Sequence, residues 1–214
     1  MKFSLSYTVL LHTLAFPIAS GQTFQTGPFA LKLSTANDST LNNQYLYACH
    51  SGAAIEALCV ASNITSPGDL GVSGRFYLNH TAETSTSGSI TWNLPVGGNN
   101  GTTINTSEPL VFQFNPASNV AVLQFVPGDS QPPLLGFSGD NLYASAPYDD
   151  SGFKPGVRPN TTSTALQLQQ WHACWSLVGS GYYYRVLAWV SAGAPRNPTC
   201  VPVTVSKENL QAVF

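Results

Sequence analysis

"LYACHSGAAIEALCVA", residues 46–61, is the stretch from which the fold is read. Cys49 and Cys59 bracket a run with one histidine, one glutamate and little else polar. "YLYAC" and "ALCVA" read as neighbouring strands with "HSGAAIE" as their connection, Gly52 taking backbone angles that other residues avoid. A helical turn through "AAIEALC" is the alternative, since Ala, Ile, Glu and Leu all allow it.

The same texture extends outward in both directions. Short runs of β-branched, aromatic or alternating residues recur between Gly, Pro, Asn and Ser: "FALKLS", "RFYLN", "SITWNL", "LVFQF", "VAVLQFV", "PLLGFS", "NLYAS", "LQQWHACWSLV", "YYYRVLAWV" and "CVPVTV". Sustained helical periodicity is missing, and 15 prolines with 18 glycines leave few windows for a helix. The expected fold is all-β, an antiparallel sandwich or closed barrel. A β-trefoil would hold as many strands, but no internal repeat supports it. In "SITWNLP", Ile90, Trp92 and Leu94 alternate with Thr91 and Asn93, which predicts one buried and one wet face. "NPASN" reads as the turn between two strands. Residues 145–164, "SAPYDDSGFKPGVRPNTTST", form the longest segment without a strand pattern, and long loops are where function concentrates.

"MKFSLSYTVLLHTLAFPIASGQ" has one basic residue, Lys2, an apolar stretch and then small residues, so residues 1–21 read as a signal peptide, with cleavage after Ser20 as the alternative. Residues 22–214 then make one domain. Only 8% of the chain is charged, against about 25% in an ordinary soluble domain. Sequons at Asn37, Asn63, Asn79, Asn100, Asn105 and Asn160 point to N-linked sugar as the solubilising substitute. The net charge is −2, with eight bases against ten acids and no basic patch. That excludes nucleic acid as a partner, and with it an electrostatic membrane surface. No membrane association is expected after the signal is removed.

Four cysteines in a secreted chain predict two disulfides, for which three pairings exist. Cys49 with Cys59 and Cys174 with Cys200 is favoured, because each then closes a local unit of strand, connection and strand. His50 and Glu56 lie inside the first unit. With a nucleophile between them they would form a catalytic constellation. Ser51 is adjacent but lacks the Gly-x-Ser-x-Gly elbow, so both residues are read as bonding the backbone of the loop.

"LYACHSGAAIEALC", "SNVAVLQFVPG", "LLGFSGDNLYASAPYDD", "WHACWSL" and "YYYRVLAWVSAGAPRNPTCVPVTV" together resemble a family of small secreted proteins from filamentous ascomycete fungi, over about residues 28 to 206. The shared signature is Cys-His-x-Gly-Ala-Ala-Ile-Glu-x-Leu-Cys, then a Ser-Asn-Val-Ala turn, an Asp-Asp loop, a Leu-Ala-Trp strand and a closing Asn-Pro-x-Cys. The resemblance implies secretion, a fungal source and the cysteine framework, and it brings no activity or catalytic residue. More distantly, the chain is similar to fungal cell-wall proteins.

Chemistry is sparse elsewhere. His50, His80 and His172 are scattered and the thiols belong to disulfides, so no metal site and no cofactor is expected. Asp149 and Asp150, with Asp140, have the oxygen ligands calcium takes, but a solvated turn explains them. A glycosidase needs two carboxylates facing each other across a bond; the available acids are Glu56, Glu83, Glu108, Asp140, Asp149 and Asp150. "GDS" at 128–130 resembles the nucleophile block of some esterases but lacks the usual partner. Trp171 and Trp175 share a strand face with Ala173 and read as core. The consecutive Tyr182, Tyr183 and Tyr184 cannot all point inward, so Tyr183, or else the other two, faces out. The expectation is a non-enzymatic glycoprotein of the cell wall or medium, with polysaccharide as partner and Tyr183, Asp149 and Asp150 as its ligand-binding residues. The alternatives are a hydrolase or biosynthetic accessory enzyme using Glu56, Asp149 and Asp150, and a secreted effector. The sequence leaves the oligomeric state open.

Overall fold

The computed structural model describes residues 24–83, 85–98, 101–128, 131–159, 165–179 and 181–210. The signal peptide at 1–21, the sequons at Asn100 and Asn160, and Asp129 and Ser130 of "GDS" lie outside the described residues.

Fourteen strands follow one another: β1 (Phe24–Ser34), β2 (Leu46–Gly52), β3 (Ile55–Val60), β4 (Phe76–His80), β5 (Ser87–Gly97), β6 (Thr103–Phe114), β7 (Val120–Phe125), β8 (Leu135–Ser138), β9 (Asn141–Ala146), β10 (Leu166–Leu168), β11 (Trp171–Val178), β12 (Tyr182–Val190), β13 (Val201–Pro202) and β14 (Thr204–Asn209). Short 3-10 segments at Ser39–Leu41 and Pro67–Gly74 are the helical elements among the described residues. Every expected run forms a strand. Two runs divide: "LQQWHACWSLV" gives its start to β10 and the rest to β11, and "CVPVTV" breaks between β13 and β14.

All strand pairs are antiparallel and join into one sheet of order β10-β9-β14-β1-β4-β5-β6-β7-β3-β12-β11-β13, with β2 on β3. β8 bridges β5 and β9, so β1, β4, β5, β8, β9 and β14 form a ring that closes on itself. β6 carries the sheet from one half to the other: its residues up to Pro109 pair with β5, and from Leu110 onward with β7. The order contains no three-fold repeat of hairpins, so the trefoil alternative falls away.

One core lies between the halves. Leu31, Leu33, Phe76, Ile90 and Val205 from the ring meet Leu58, Leu123, Phe125, Trp171 and Leu187 from the other half. Period-two alternation places them: Phe76 and Leu78 of β4 are buried between half-buried Tyr77 and Asn79. Thr91 of β5 departs from its expected wet face and is buried.

The stretch 46–61 is a clasped hairpin rather than a helical turn. Cys49 and Cys59 are bonded across β2 and β3 with Cα atoms 5.8 Å apart, and Cys174 and Cys200 form the second disulfide. The strands run further into the connection than expected, so only Ala53 and Ala54 link them. Ala54, not Gly52, takes the left-handed backbone at φ 51°. Loops closed over sequence separations of 10 and 26 correspond to about 2–3 and 3.5 kcal/mol of chain-entropy stabilisation. Denaturant melts of the paired Cys→Ala variants are expected to show losses in that order.

Candidate functional site

On one face the β11–β12 hairpin runs past the end of the main core, while on the other Val178 and Val186 stay buried with Cys49, Ala57 and Cys59. Trp171 and Ala173 at the start of β11 are buried, while Trp175 and Leu177 on the same face extend beyond the opposing half and are 43% and 68% exposed. The expectation that Trp175 belongs to the core is therefore corrected. Side-chain parity was read correctly, but the length of the opposing layer is not encoded in a strand's own alternation.

The three tyrosines divide as alternation requires. Tyr183, 57% exposed, stacks on Trp175 with ring centroids 5.4 Å apart and planes 25° from parallel. Tyr182 and Tyr184 stack on each other, and the His50 ring meets Tyr182 edge-on at 5.3 Å. Trp175 is fixed on both sides. Arg185 of β12 pairs with it across the hairpin. On the outer edge its backbone N–H donates to Thr199 Oγ1 at 3.0 Å, and its carbonyl accepts from Asn197 Nδ2 at 2.8 Å. The neighbouring Cys174–Cys200 disulfide staples that edge segment.

Leu177 faces Tyr183 across the hairpin and also lines a groove of about 620 Å³ on the outer surface of β6, β7 and β11. Val120 and Val122 lie along the groove with the amides Gln113, Asn115, Gln124 and Asn197, and Phe114, 60% exposed, adds an aromatic ring. One charged side chain, Arg196, and no carboxylate occur among its described lining residues. The groove is held open by local chemistry. Asn119 Nδ2 donates to the carbonyls of Ala192 and Ala194, and Asn119 Oδ1 accepts from the Arg196 N–H, which fixes the wall carrying Arg196 and Asn197. Gly179 at φ 54° seats the hairpin against β2: an added Cβ would lie 1.5 Å from the Ser51 carbonyl oxygen, so only glycine fits.

The acids lie elsewhere. Glu56 pairs with Phe125 of β7, and Glu108 stands at the bend of β6 opposite Trp92, directly before Pro109. Both are buried, Glu108 completely, and the Glu56 carboxyl is within hydrogen-bond reach of it. Among the described residues no other donor reaches either oxygen of Glu108 or Oε2 of Glu56. Burial, followed by the hydrogen bond and negative charge of Glu56, pushes the Glu108 carboxyl up to about 8. At neutral pH the pair therefore holds a proton between its carboxyls. The loop-bonding role expected of His50 and Glu56 is corrected accordingly: the hydroxyl of Ser51 donates to the Ile55 carbonyl at 3.0 Å, His50 packs on Tyr182, and Glu56 turns into the core.

Asp149 and Asp150 are exposed in the loop after β9, and Asp149 Oδ1 accepts from the Ser151 N–H at 2.9 Å. That bond holds the Asp149 carboxyl below its ordinary value. Neither aspartate lines the groove beside Tyr183. The grouping of the three as one site is thus resolved into two places. Phe114, Gln113 and Asn197 were not singled out from sequence, because an isolated Phe or amide carries no positional signal until strands are placed side by side. No described group of three or more His, Cys, Asp or Glu side chains is arranged to hold a metal. No helix among the described residues is long and apolar enough to cross a membrane.

No curated protein and no solved structure matches the chain. One family model does match, over residues 26–209, which is all of the described span except Phe24, Gln25 and Leu210. The chain belongs to that family, described as a domain of unknown function, DUF7907.

Proposed function

We propose that this is a secreted, N-glycosylated, non-enzymatic protein of a fungal cell wall or the surrounding medium, which binds polysaccharide on the exposed Trp175–Tyr183 stack and the groove reached through Leu177. The observation that carries the reading is the exposed Trp175–Tyr183 stack, whose neighbour on the same strand face, Leu177, also reaches an amide-lined groove. Aromatic faces take up the apolar faces of sugar rings, and carboxamides both donate to and accept from hydroxyls. The rings are held in place before any ligand arrives, which lowers the ordering cost of binding. Binding without hydrolysis is favoured because no carboxylate occurs among the groove's described lining residues, whereas a glycosidase needs a facing pair. The facing pair that does exist, Glu56 and Glu108, is sealed in the core. Sugar on exposed Asn37, Asn63 and Asn105 fits the low charge of the surface. Asn79 is half-buried in β4 with its amide bonded to Gln25 and Ser107, a poor acceptor.

The test is retention of the purified mature protein on insoluble chitin, β-glucan and mannan. Retention on one of them is expected, with affinity falling roughly tenfold in Tyr183→Ala and in Trp175→Ala, the scale of one lost stacking contact. Both side chains are exposed, so thermal melts should stay near those of the parent protein. Retention that neither substitution weakens would count against this site.

A further inference from the structure

A second exposed aromatic stack lies outside the groove. The chain leaves β9 at Ala146 and turns through "PYDDSGFKPGV". In this turn the Phe153 N–H donates to the Asp150 carbonyl at 3.0 Å and the Val157 N–H to the Lys154 carbonyl at 3.2 Å. These bonds bring Tyr148 and Phe153 together as a stacked pair, with ring centroids 5.8 Å apart and planes 21° from parallel. The rings are 49% and 48% exposed. Stacked rings left in water on an ordered loop need an explanation, since a loop of this kind is free to turn one of them inward.

We propose that the loop carrying Tyr148 and Phe153 is a second polysaccharide site, so that one chain of this protein holds the polymer at two places and cross-links its strands. The inference rests on the reading of the groove as a polysaccharide site. The loop follows β9 of the ring, whereas Trp175 and Tyr183 stand on the β11–β12 hairpin of the other half, so the two stacks are carried by different parts of the sheet. The loop offers the same two kinds of contact in a different form. Its aromatic faces suit the apolar faces of sugar rings, and the exposed carboxylates of Asp149 and Asp150 accept from hydroxyls. The bonds from Ser151 hold the Asp149 carboxyl below its ordinary value. A polymer repeats one unit many times, so a second site of modest affinity raises overall retention through effective concentration without any change in the first. A protein partner fits less well, since two rings and Val157 make a patch far smaller than a stable protein interface requires.

Agglutination separates two sites from one. Suspensions of insoluble chitin, β-glucan and mannan particles are mixed with the full mature protein, confirmed as monomeric by sedimentation, and both retention and particle clumping are measured. The parent protein is expected to be retained on one polymer and to clump it. Phe153→Ala and Tyr148→Ala should remain retained through the groove, while the clumping titre falls roughly tenfold or more as the second attachment is lost. Retention of the parent protein without clumping, or clumping by Phe153→Ala equal to that of the parent, would overturn the proposal and leave the groove reading intact. Failure of the parent protein to bind any of the three polymers would remove the groove reading, and the second site with it.

Discussion

Raising the pH from 4.5 to 8 is expected to destabilise the folded domain steadily. The cause is the buried Glu56–Glu108 pair. In the unfolded chain the Glu108 carboxyl loses its proton near its ordinary value of 4.5, whereas the folded protein holds it up to about 8. Between those values unfolding releases a proton, so rising pH favours the unfolded state. The contribution is fully present below 4.5, is lost as the pH rises through the window, and is level above it. The opposite dependence belongs to Asp38. Its carboxyl accepts from Thr40 and meets Arg185 at 2.7 Å, which together hold it down to about 2. Stability from that group is lost as pH falls from 3.8 towards 2, the reverse of the Glu108 dependence.

Glu108→Gln separates the buried pair from every other titration. The amide keeps the volume and donates to Glu56, with no proton left to lose at this position. Urea midpoints at pH 4, 6 and 8 should fall steadily in the parent protein and stay nearly level in the variant, which becomes the more stable of the two at pH 8. A parent midpoint that does not move between pH 4.5 and 8 would show that the carboxyls do not share a proton. A domain of this size has a total stability of only about 5–15 kcal/mol. A loss of even a few kcal/mol would therefore be readily measured.

The pair also marks what the chain makes legible. Each strand announced itself by its own alternation, and the disulfides followed from the units that each pair of cysteines closes. Glu56 looked like a loop residue because the connection was drawn too long, while β3 in fact begins at Ile55. Its partner lies 52 positions away and reaches it only because β3 and β6 both pair with β7. Nothing local at Glu108 signals that register. The same holds for the groove, whose residues come from β6, β7, β11 and the segment before β13. Tyr183 was legible because three consecutive bulky residues on a strand must put at least one outward, a constraint that needs no knowledge of neighbours.

Trp171 and Trp175, four residues apart on one face of β11, are expected to respond to alanine in opposite ways. Trp171 is packed edge-on against Trp189 at 4.8 Å and against Phe112 at 6.2 Å, and its indole N–H donates to the Leu142 carbonyl at 2.7 Å. Trp171→Ala leaves a large cavity, which costs about 3–5 kcal/mol, and orphans a buried carbonyl, which costs about 1–3 more. That sum approaches the stability of the domain, so little folded protein should accumulate. Trp171→Phe fills most of the space but still lacks the donor, and its melt should fall between the two. Trp175→Ala removes a ring that is 43% exposed and opens no cavity, so its melt should lie within about 1 kcal/mol of the parent. Polysaccharide retention, by contrast, should be unchanged in whatever folded Trp171→Phe is recovered and weakened in Trp175→Ala. Equal destabilisation by Trp171→Ala and Trp175→Ala would mean that the hairpin does not project beyond the core. In that case the stack of Trp175 on Tyr183 is a packing contact, and the groove loses the feature that marks it as a sugar site.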